Sequence, residues 1–283
     1  MAIRILTDST CDLSPQEAQE RDIWLIPMQV LFGDTPYLDN VDIDHTTFYQ
    51  MLAQSETFPT TTQLTPNEFL PWFERARDAG DEVVCIPLAA TLSGTYQNAC
   101  LAKELCGYEG IHIVDARMAT TPLRMVVDYA CALREKGLSA LDIAEKTLSA
   151  ARRVRICGMV DTLEYLHKGG RISGAVKVVG SMLRVKPLIT IDEHALSVMG
   201  KAMGTRKGFA ALLEYLGPTI TPDPLLPCVY FGYCGSEENC RQLMELVEDA
   251  YHPAAMHIHS VGAIIGAHLG PGATIAGYIQ AEG

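Results

Sequence analysis

The feature that most constrains this chain is a rhythm in its first half, where short apolar runs alternate with segments that carry helix-opening signals. "IRILTD" (3–8), "IWLIPMQVLF" (23–32), "EVVCIPL" (82–88) and "IHIVDA" (111–116) read as strands. Ser14-Pro15-Gln16-Glu17 and Thr65-Pro66-Asn67-Glu68 are capping boxes. In each, a hydroxyl serves the third helical amide, a glutamate reaches back, and proline sits where no amide is needed. "DHTTFYQML" (44–52) patterns as a helix, and further helices are expected from Gly94 to Gly107, from about Pro122 to Lys136 and over 140–152. Strand–helix alternation at this spacing builds a parallel sheet covered on both faces. The expectation is an α/β fold whose N-terminal domain, residues 1–153, is a doubly wound, Rossmann-like parallel sheet.

From residue 154 the pattern changes. "RICGMV" (155–160) is a strand, and "TLEYLHKGGRIS" (162–173) a short helix stopped by Gly169-Gly170. "PLITI" and "ALSVM" flank Asp192-Glu193-His194 as a hairpin. A helix over about 206–216, strand "PCVYFGY" and a helix opened by Ser236 follow. The stretch 261–279 is long and apolar but carries His268, Pro271 and repeated glycines, so it reads as buried strands around a turn rather than a membrane span. Residues 154–283 are expected to form a second α/β domain with a mixed or antiparallel sheet. A chain of 283 residues suits two domains.

The formal charge of −12 argues against a nucleic-acid partner. Nine cysteines without a CxxC pair indicate neither a disulfide framework nor a zinc site, and buried thiols of a cytoplasmic protein are expected. "MAIRILTDST" turns polar by Thr7, so no secretory leader is read there.

Four stretches carry chemistry. In "AATLSGTYQNA" (89–99) the chain leaves a strand, passes Ser93 and Gly94, and starts a helix. Ligands of open α/β sheets bind at such strand ends, where free helix amides favour negative charge. Ser93 adds a hydroxyl, and Gly94 lets a ligand approach the backbone; the alternative is that Ser93 simply caps the helix. "PTTTQLTP" (59–66) assigns capping to Thr65 and leaves Thr60, Thr61 and Thr62 available for the same cleft, or as ordinary loop polarity. "GAHLGPG" (266–272) fixes an unusual backbone path around His268, which is either a donor to an acid or a satisfied structural histidine. "HKGGRIS" (167–173) sets Lys168 and Arg171 around a glycine turn, as a solvated helix end or a docking surface for an acidic partner.

These stretches, with "ILTDSTCDLSP", "VDARMAT" and "VKPLITI", resemble the DegV family of bacterial fatty-acid-binding proteins over essentially the whole chain. The resemblance implies two α/β domains and one long-chain fatty acid, of palmitate or stearate type, with its tail buried. It implies a non-catalytic lipid carrier without a cofactor, which presents the acid to a partner kinase that phosphorylates its carboxyl group. The carboxylate-holding residues would fall on Thr61 or Thr62 and Ser93, with the family's C-terminal histidine at His268. The chain departs from the pattern at Ala89, Ala90 and Leu269, where polar residues are common, which puts the finer head-group hydrogen bonding in question.

Long acyl chains gain about 0.8 kcal/mol per buried methylene, so a C16 tail supplies on the order of 10 kcal/mol gross. The head group then needs orientation more than charge, and the loops 59–66 and 89–94 contain no arginine. A serine hydrolase using Ser93 and His268 with Asp8 or Asp115 is the rival, although "TLSGT" is not a GxSxG elbow. No nucleotide-binding motif marks the chain as a kinase. A metal reading of His257 and His259 lacks a third ligand.

Overall fold

The computed structural model describes residues 2–172, 184–192 and 195–282. In chain order, β1 (Ile3–Asp8) leads through a 3-10 turn (Ser9–Cys11) to α1 (Pro15–Glu20), β2 (Ile23–Ile26), β3 (Gln29–Phe32), β4 (Thr35–Leu38), α2 (His45–Gln54), β5 (Thr60–Thr61) and α3 (Pro66–Ala79). Then come β6 (Glu82–Ile86), α4 (Thr95–Cys106), β7 (Ile111–Ile113), α5 (Thr120–Glu135) and α6 (Ala140–Arg152). The remainder is β8 (Val154–Met159), α7 (Glu164–Lys168), β9 (Val185–Ile191), β10 (Leu196–Met203), α8 (Thr205–Leu216), β11 (Cys228–Tyr233), α9 (Glu238–Tyr251), β12 (Ala255–Ser260), α10 (Ala263–Leu269) and β13 (Thr274–Ile279).

A four-stranded parallel sheet has the order β2-β1-β6-β7. The chain moves from β1 to one side, then returns to β1's other side with β6. The carboxyl ends of β1 and β6 therefore form the switch point where open α/β sheets bind ligands. Asp8, at the end of β1, holds that point closed underneath: its Oδ2 accepts the Leu88 N–H at 2.8 Å and its Oδ1 the Thr10 N–H at 3.0 Å.

A six-stranded mixed sheet has the order β10-β9-β8-β13-β11-β12, with only β11–β12 parallel. Its central strands β8, β11 and β13 are buried on both faces for most of their length, while β10 and β12 are only partly covered. Cys157 and Met159 of β8 pack with Phe209, Leu212 and Leu243 of α8 and α9, while Ile156 faces the other way. The alternation follows from the period of two in a strand. Helix α5 is buried almost all round and lies between the two sheets, touching β1 on one side and β11 and β13 on the other.

Both capping boxes form: Glu17 accepts the Ser14 amide at 2.9 Å, and Glu68 the Thr65 amide at 2.7 Å. The hairpin β9–β10 forms as the pattern suggests, although Glu193 and His194 at its turn, like Ser173 after the glycine turn, lie outside the described residues. Two readings need correction. "IWLIPMQVLF" is not one strand but two in different sheets: the chain breaks at Pro27, which lacks an amide for a ladder. β3 then joins β4 and β5 in a three-stranded antiparallel sheet that the sequence reading missed. The segment around "GAHLGPG" is also not strand and turn throughout, because 263–269 coils into α10 and places His268 in its last turn. No helix among the described residues is long and apolar enough to cross a membrane.

Candidate functional site

A narrow cleft lies between the switch point and the inner face of the six-stranded sheet, enclosing ≈ 770 Å³ with its open mouth included. Its body is apolar, with Ile156, Ile189, Ile191, Leu196, Ile264 and Ile275 in the wall. Thr61, Thr62, Ser93, His268 and Arg171 line the same space, Thr61 meeting His268 and Arg171 reaching the Leu92 carbonyl beside Ser93, while Thr190 stands apart among the isoleucines with its hydroxyl donated to the Ile156 carbonyl. The two hydroxyl loops and His268 thus share one space, and Arg171, read from the sequence as part of a solvated helix end or docking surface, joins them there. Thr60, next to Thr61 on β5, is exposed and absent from the wall, because successive strand residues face opposite sides.

Each hydroxyl is held by a short relay. The buried Thr95 accepts the Leu64 N–H at 3.2 Å through Oγ1, which also lies 2.9 Å from Ser93 Oγ. Ser93 Oγ accepts the Thr95 N–H at 3.2 Å. The arrangement that leaves no buried proton unpartnered has Thr95 donating to Ser93, which frees the Ser93 proton. Ser93 therefore both supports the start of α4 and presents a donor.

Thr61 Oγ1 lies 2.8 Å from His268 Nε2. Burial, and then the charge of Arg171, lower the imidazole's pKa to about 4, so the ring is neutral at neutral pH. Nδ1 is buried, packs against Gly169 and has no hydrogen-bond partner among the described residues. A proton there would be stranded, so the favoured tautomer carries it on Nε2, donates to Thr61 and frees the Thr61 proton. The depressed pKa has a stability consequence. Below about pH 6.5 the unfolded chain takes up the proton first, so this histidine costs stability as pH falls from 6.5 towards 4. His268→Gln is expected to remove that slope, worth on the order of 3 kcal/mol between these limits, and denaturant titration of both proteins at pH 7 and pH 4.5 measures it.

Gly94 stands beside the cleft rather than in its wall. Its N–H donates to Gln63 Oε1 at 3.2 Å, and a Cβ on it would fall 2.4 Å from that oxygen. The glycine makes room for Gln63, which ties the two loops together. Arg171 turns inward from the glycine turn: Nε donates to the Leu92 carbonyl at 3.2 Å and NH1 to the Gly169 carbonyl at 2.6 Å. A cation therefore does border the head end, supplied by a segment far from both loops. Lys168 remains exposed, with its ammonium 5.1 Å from the Phe58 ring centre. Leu269 lines the cleft, and Ala89 is wholly buried.

The hydrolase geometry is not present. His268 Nε2 meets Thr61 rather than Ser93, and among the described residues no carboxylate orients Nδ1. Asp8 serves Leu88 and Thr10, and Asp115 serves the amides of Ala90 and Arg117. His257 and His259 stack beside Tyr230, and no cluster with metal-binding geometry occurs among the described residues. Eight of the nine cysteines are buried, and all are free thiols.

The model of the DegV family, described as an uncharacterised protein family, matches residues 2–281. This chain belongs to the DegV family. Among solved structures, the DegV-family protein superimposes on a fatty-acid-binding member from Thermus thermophilus with a TM-score of 0.86 and 28% identity, covering 99% of this chain and 100% of that one. It matches DegV of Bacillus subtilis, described as a fatty acid binding protein, at 0.84 and 26%, covering 98% of each chain. The fold is also shared with the Streptococcus pneumoniae fatty acid kinase (Fak) B3 protein, solved with linoleic acid, at 0.84 and 20% identity over 99% of each chain.

Proposed function

We propose that this DegV-family protein binds one long-chain fatty acid, with the tail along the isoleucine-lined cleft and the carboxylate at its polar end. The observation that carries the reading is a single cleft whose wall joins a group of isoleucine and leucine side chains to hydroxyls from two loops. The tail supplies affinity, at about 0.8 kcal/mol per methylene. The free protons of Ser93 and Thr61 point towards an acceptor, Thr62 adds a third hydroxyl, and the nearby Arg171 favours an anion over a neutral ester or alcohol. Neutral His268 acts through Thr61, holding its hydroxyl in the donating orientation. No base and nucleophile are paired among the described residues, which supports a carrier rather than a hydrolase.

In this reading the carboxylate lies beside Arg171, on the same glycine turn that carries the exposed Lys168. A carboxyl group held by hydroxyls beside that turn is within reach of a second protein, and the basic turn suits an acidic one. We take that second protein to be a kinase that phosphorylates the carboxyl group, as the family resemblance implies.

Native mass spectrometry of freshly purified protein tests the ligand class: one retained acyl acid per chain is expected, and a ligand-free protein that takes up no added acid would overturn the reading. The combined variant Thr61→Ala, Thr62→Ala, Ser93→Ala is expected to weaken acyl-acid binding by about 10- to 100-fold, each lost hydrogen bond to a charged group being worth about 1.5–3 kcal/mol before water compensates. Its melting temperature checks that the fold survives. Hydrolysis of p-nitrophenyl esters that disappears in Ser93→Ala would favour the hydrolase instead.

A further inference from the structure

One buried carboxylate touches several segments that build the head end. Asp12 is 4% exposed and closes the 3-10 turn after β1 at φ 60. Its Oδ1 accepts the Gly262 N–H at 2.8 Å, immediately ahead of α10. Its Oδ2 accepts the Thr120 hydroxyl. Its main-chain carbonyl accepts Arg124 NH1 at 3.2 Å. Thr120 lines the cleft and opens α5 at φ 53, a left-handed conformation that a β-branched residue adopts only where its surroundings force it. Helix α10 begins at the amides held by Asp12 and, at 3.3 Å, by Asp39, and its last turn carries His268. A helix this short moves as one piece, so where it starts decides where its last turn sets the imidazole.

We propose that Asp12 is a positioning residue of the head-group site: ionised, it holds Thr120 and the start of α10 so that His268 meets Thr61. The proposal rests on the fatty-acid reading above. Two acceptor oxygens face two donors, the match that only a carboxylate supplies. Protonation turns one acceptor into a donor. The Gly262 amide cannot rotate, so the Thr120 hydroxyl has to turn over. The substitution Asp12→Asn would impose the same mismatch at nearly the same volume.

The site is also costly to keep. Burial raises Asp12 to about 7; Asp39 pushes the same way, while Thr120, Gly262 and Arg124 oppose. His45 Nε2 and Asp39 Oδ2 also face Gly262, Glu17 pairs with Arg124 at 2.5 Å, and Cys11, Tyr49 and Cys234 feel the Asp12 charge. Because the folded pKa lies above the unfolded one, this group stabilises the fold most below about pH 4, and that contribution is lost as pH rises through about 7. A residue kept for stability alone would not be built this way.

Parent and Asp12→Asn proteins are compared at pH 6 and pH 8 for melting temperature and for affinity towards a long-chain fatty acid with a fluorescent tail. The acid's own titration cancels in the ratio of the two affinities. At pH 8 the variant is expected to bind about tenfold more weakly while melting no lower than the parent, and at pH 6 the two affinities converge. Thr120→Ala should reproduce the loss from the other end of the bond, and Thr120→Ser should restore it. An affinity ratio that does not change with pH, or affinity and melting temperature falling together, overturns the proposal. If the parent binds no acid, the functional reading fails separately. The inference is then judged on the ring-nitrogen NMR signals of His268, whose shift between pH 6 and 8 must vanish in Asp12→Asn.

Discussion

Gly158→Val is expected to cost more acyl-acid binding than any single head-group substitution while leaving the fold in place. Gly158 lies on β8 between β9 and β13, on the face turned to the cleft. A Cβ there would sit 3.4 Å from Ile189 Cγ1 and 3.5 Å from Ile275 Cγ1, both side chains of the cleft wall. The two valine methyl groups extend past that point into the slot. Excluding about four methylenes of the tail forfeits about 3 kcal/mol, which is a factor of about 10² in affinity. The substitution also sets Cβ 3.2 Å from the Thr274 carbonyl, a tight contact whose strain is worth about 1–3 kcal/mol. Valine's preference for strands offsets part of it. Native mass spectrometry of the purified variant should show empty protein, or protein carrying shorter acids. Retention of a full-length acid at parental stoichiometry would show that the tail does not run along β8.

The parts of this molecule that were legible in the sequence are those whose signal is local. The capping boxes at Ser14 and Thr65 are four-residue devices, and both form. The turn from β6 into α4 announces itself by an apolar run followed by Ser93 and Gly94. What stayed hidden is non-local. Arg171 borders the head end because its guanidinium reaches the Leu92 carbonyl, 79 residues away in sequence. Thr95 matters through the Leu64 amide, 31 residues away. Gly94 had a good local reason to be a ligand-facing glycine, yet the space it leaves is filled by Gln63. Helix α10 was missed for a different reason: it is only seven residues long with Gly266 at its centre, which depresses helix propensity, and tertiary packing overrides it. Gly266 in particular lets Phe48 and the Tyr49 hydroxyl close on the helix, since a Cβ there would fall 2.6 Å from that oxygen. The glycine that hides the helix from a propensity reading is the one that lets it pack deeply enough to bring His268 to the cleft.

The same logic gives the sharpest test of the imidazole itself. Gly169 closes α7 at φ −72, ψ −8, an ordinary right-handed conformation, so the backbone accepts alanine without strain. The obstacle is His268: an alanine Cβ would fall 2.1 Å from Nδ1 and 2.8 Å from Cε1. The ring cannot stay, and when it turns, the 2.8 Å contact between Nε2 and Thr61 is lost. Gly169→Ala is therefore expected to destabilise the protein by about 1–3 kcal/mol, as overpacking of a well-filled site does, and to weaken acyl-acid binding about tenfold although no polar group has been removed. The diagnostic is the double-mutant cycle. In a His268→Ala background the clash partner is gone, so adding Gly169→Ala should cost almost nothing, and the cycle should show a coupling of about 1–3 kcal/mol. Additive effects would mean that Gly169 acts through the turn carrying Arg171, because Arg171 NH1 donates to the Gly169 carbonyl. The cycle thus separates two origins of head-group order that the packing leaves side by side: an imidazole locked in place by a missing methyl group, or a guanidinium locked in place by a carbonyl.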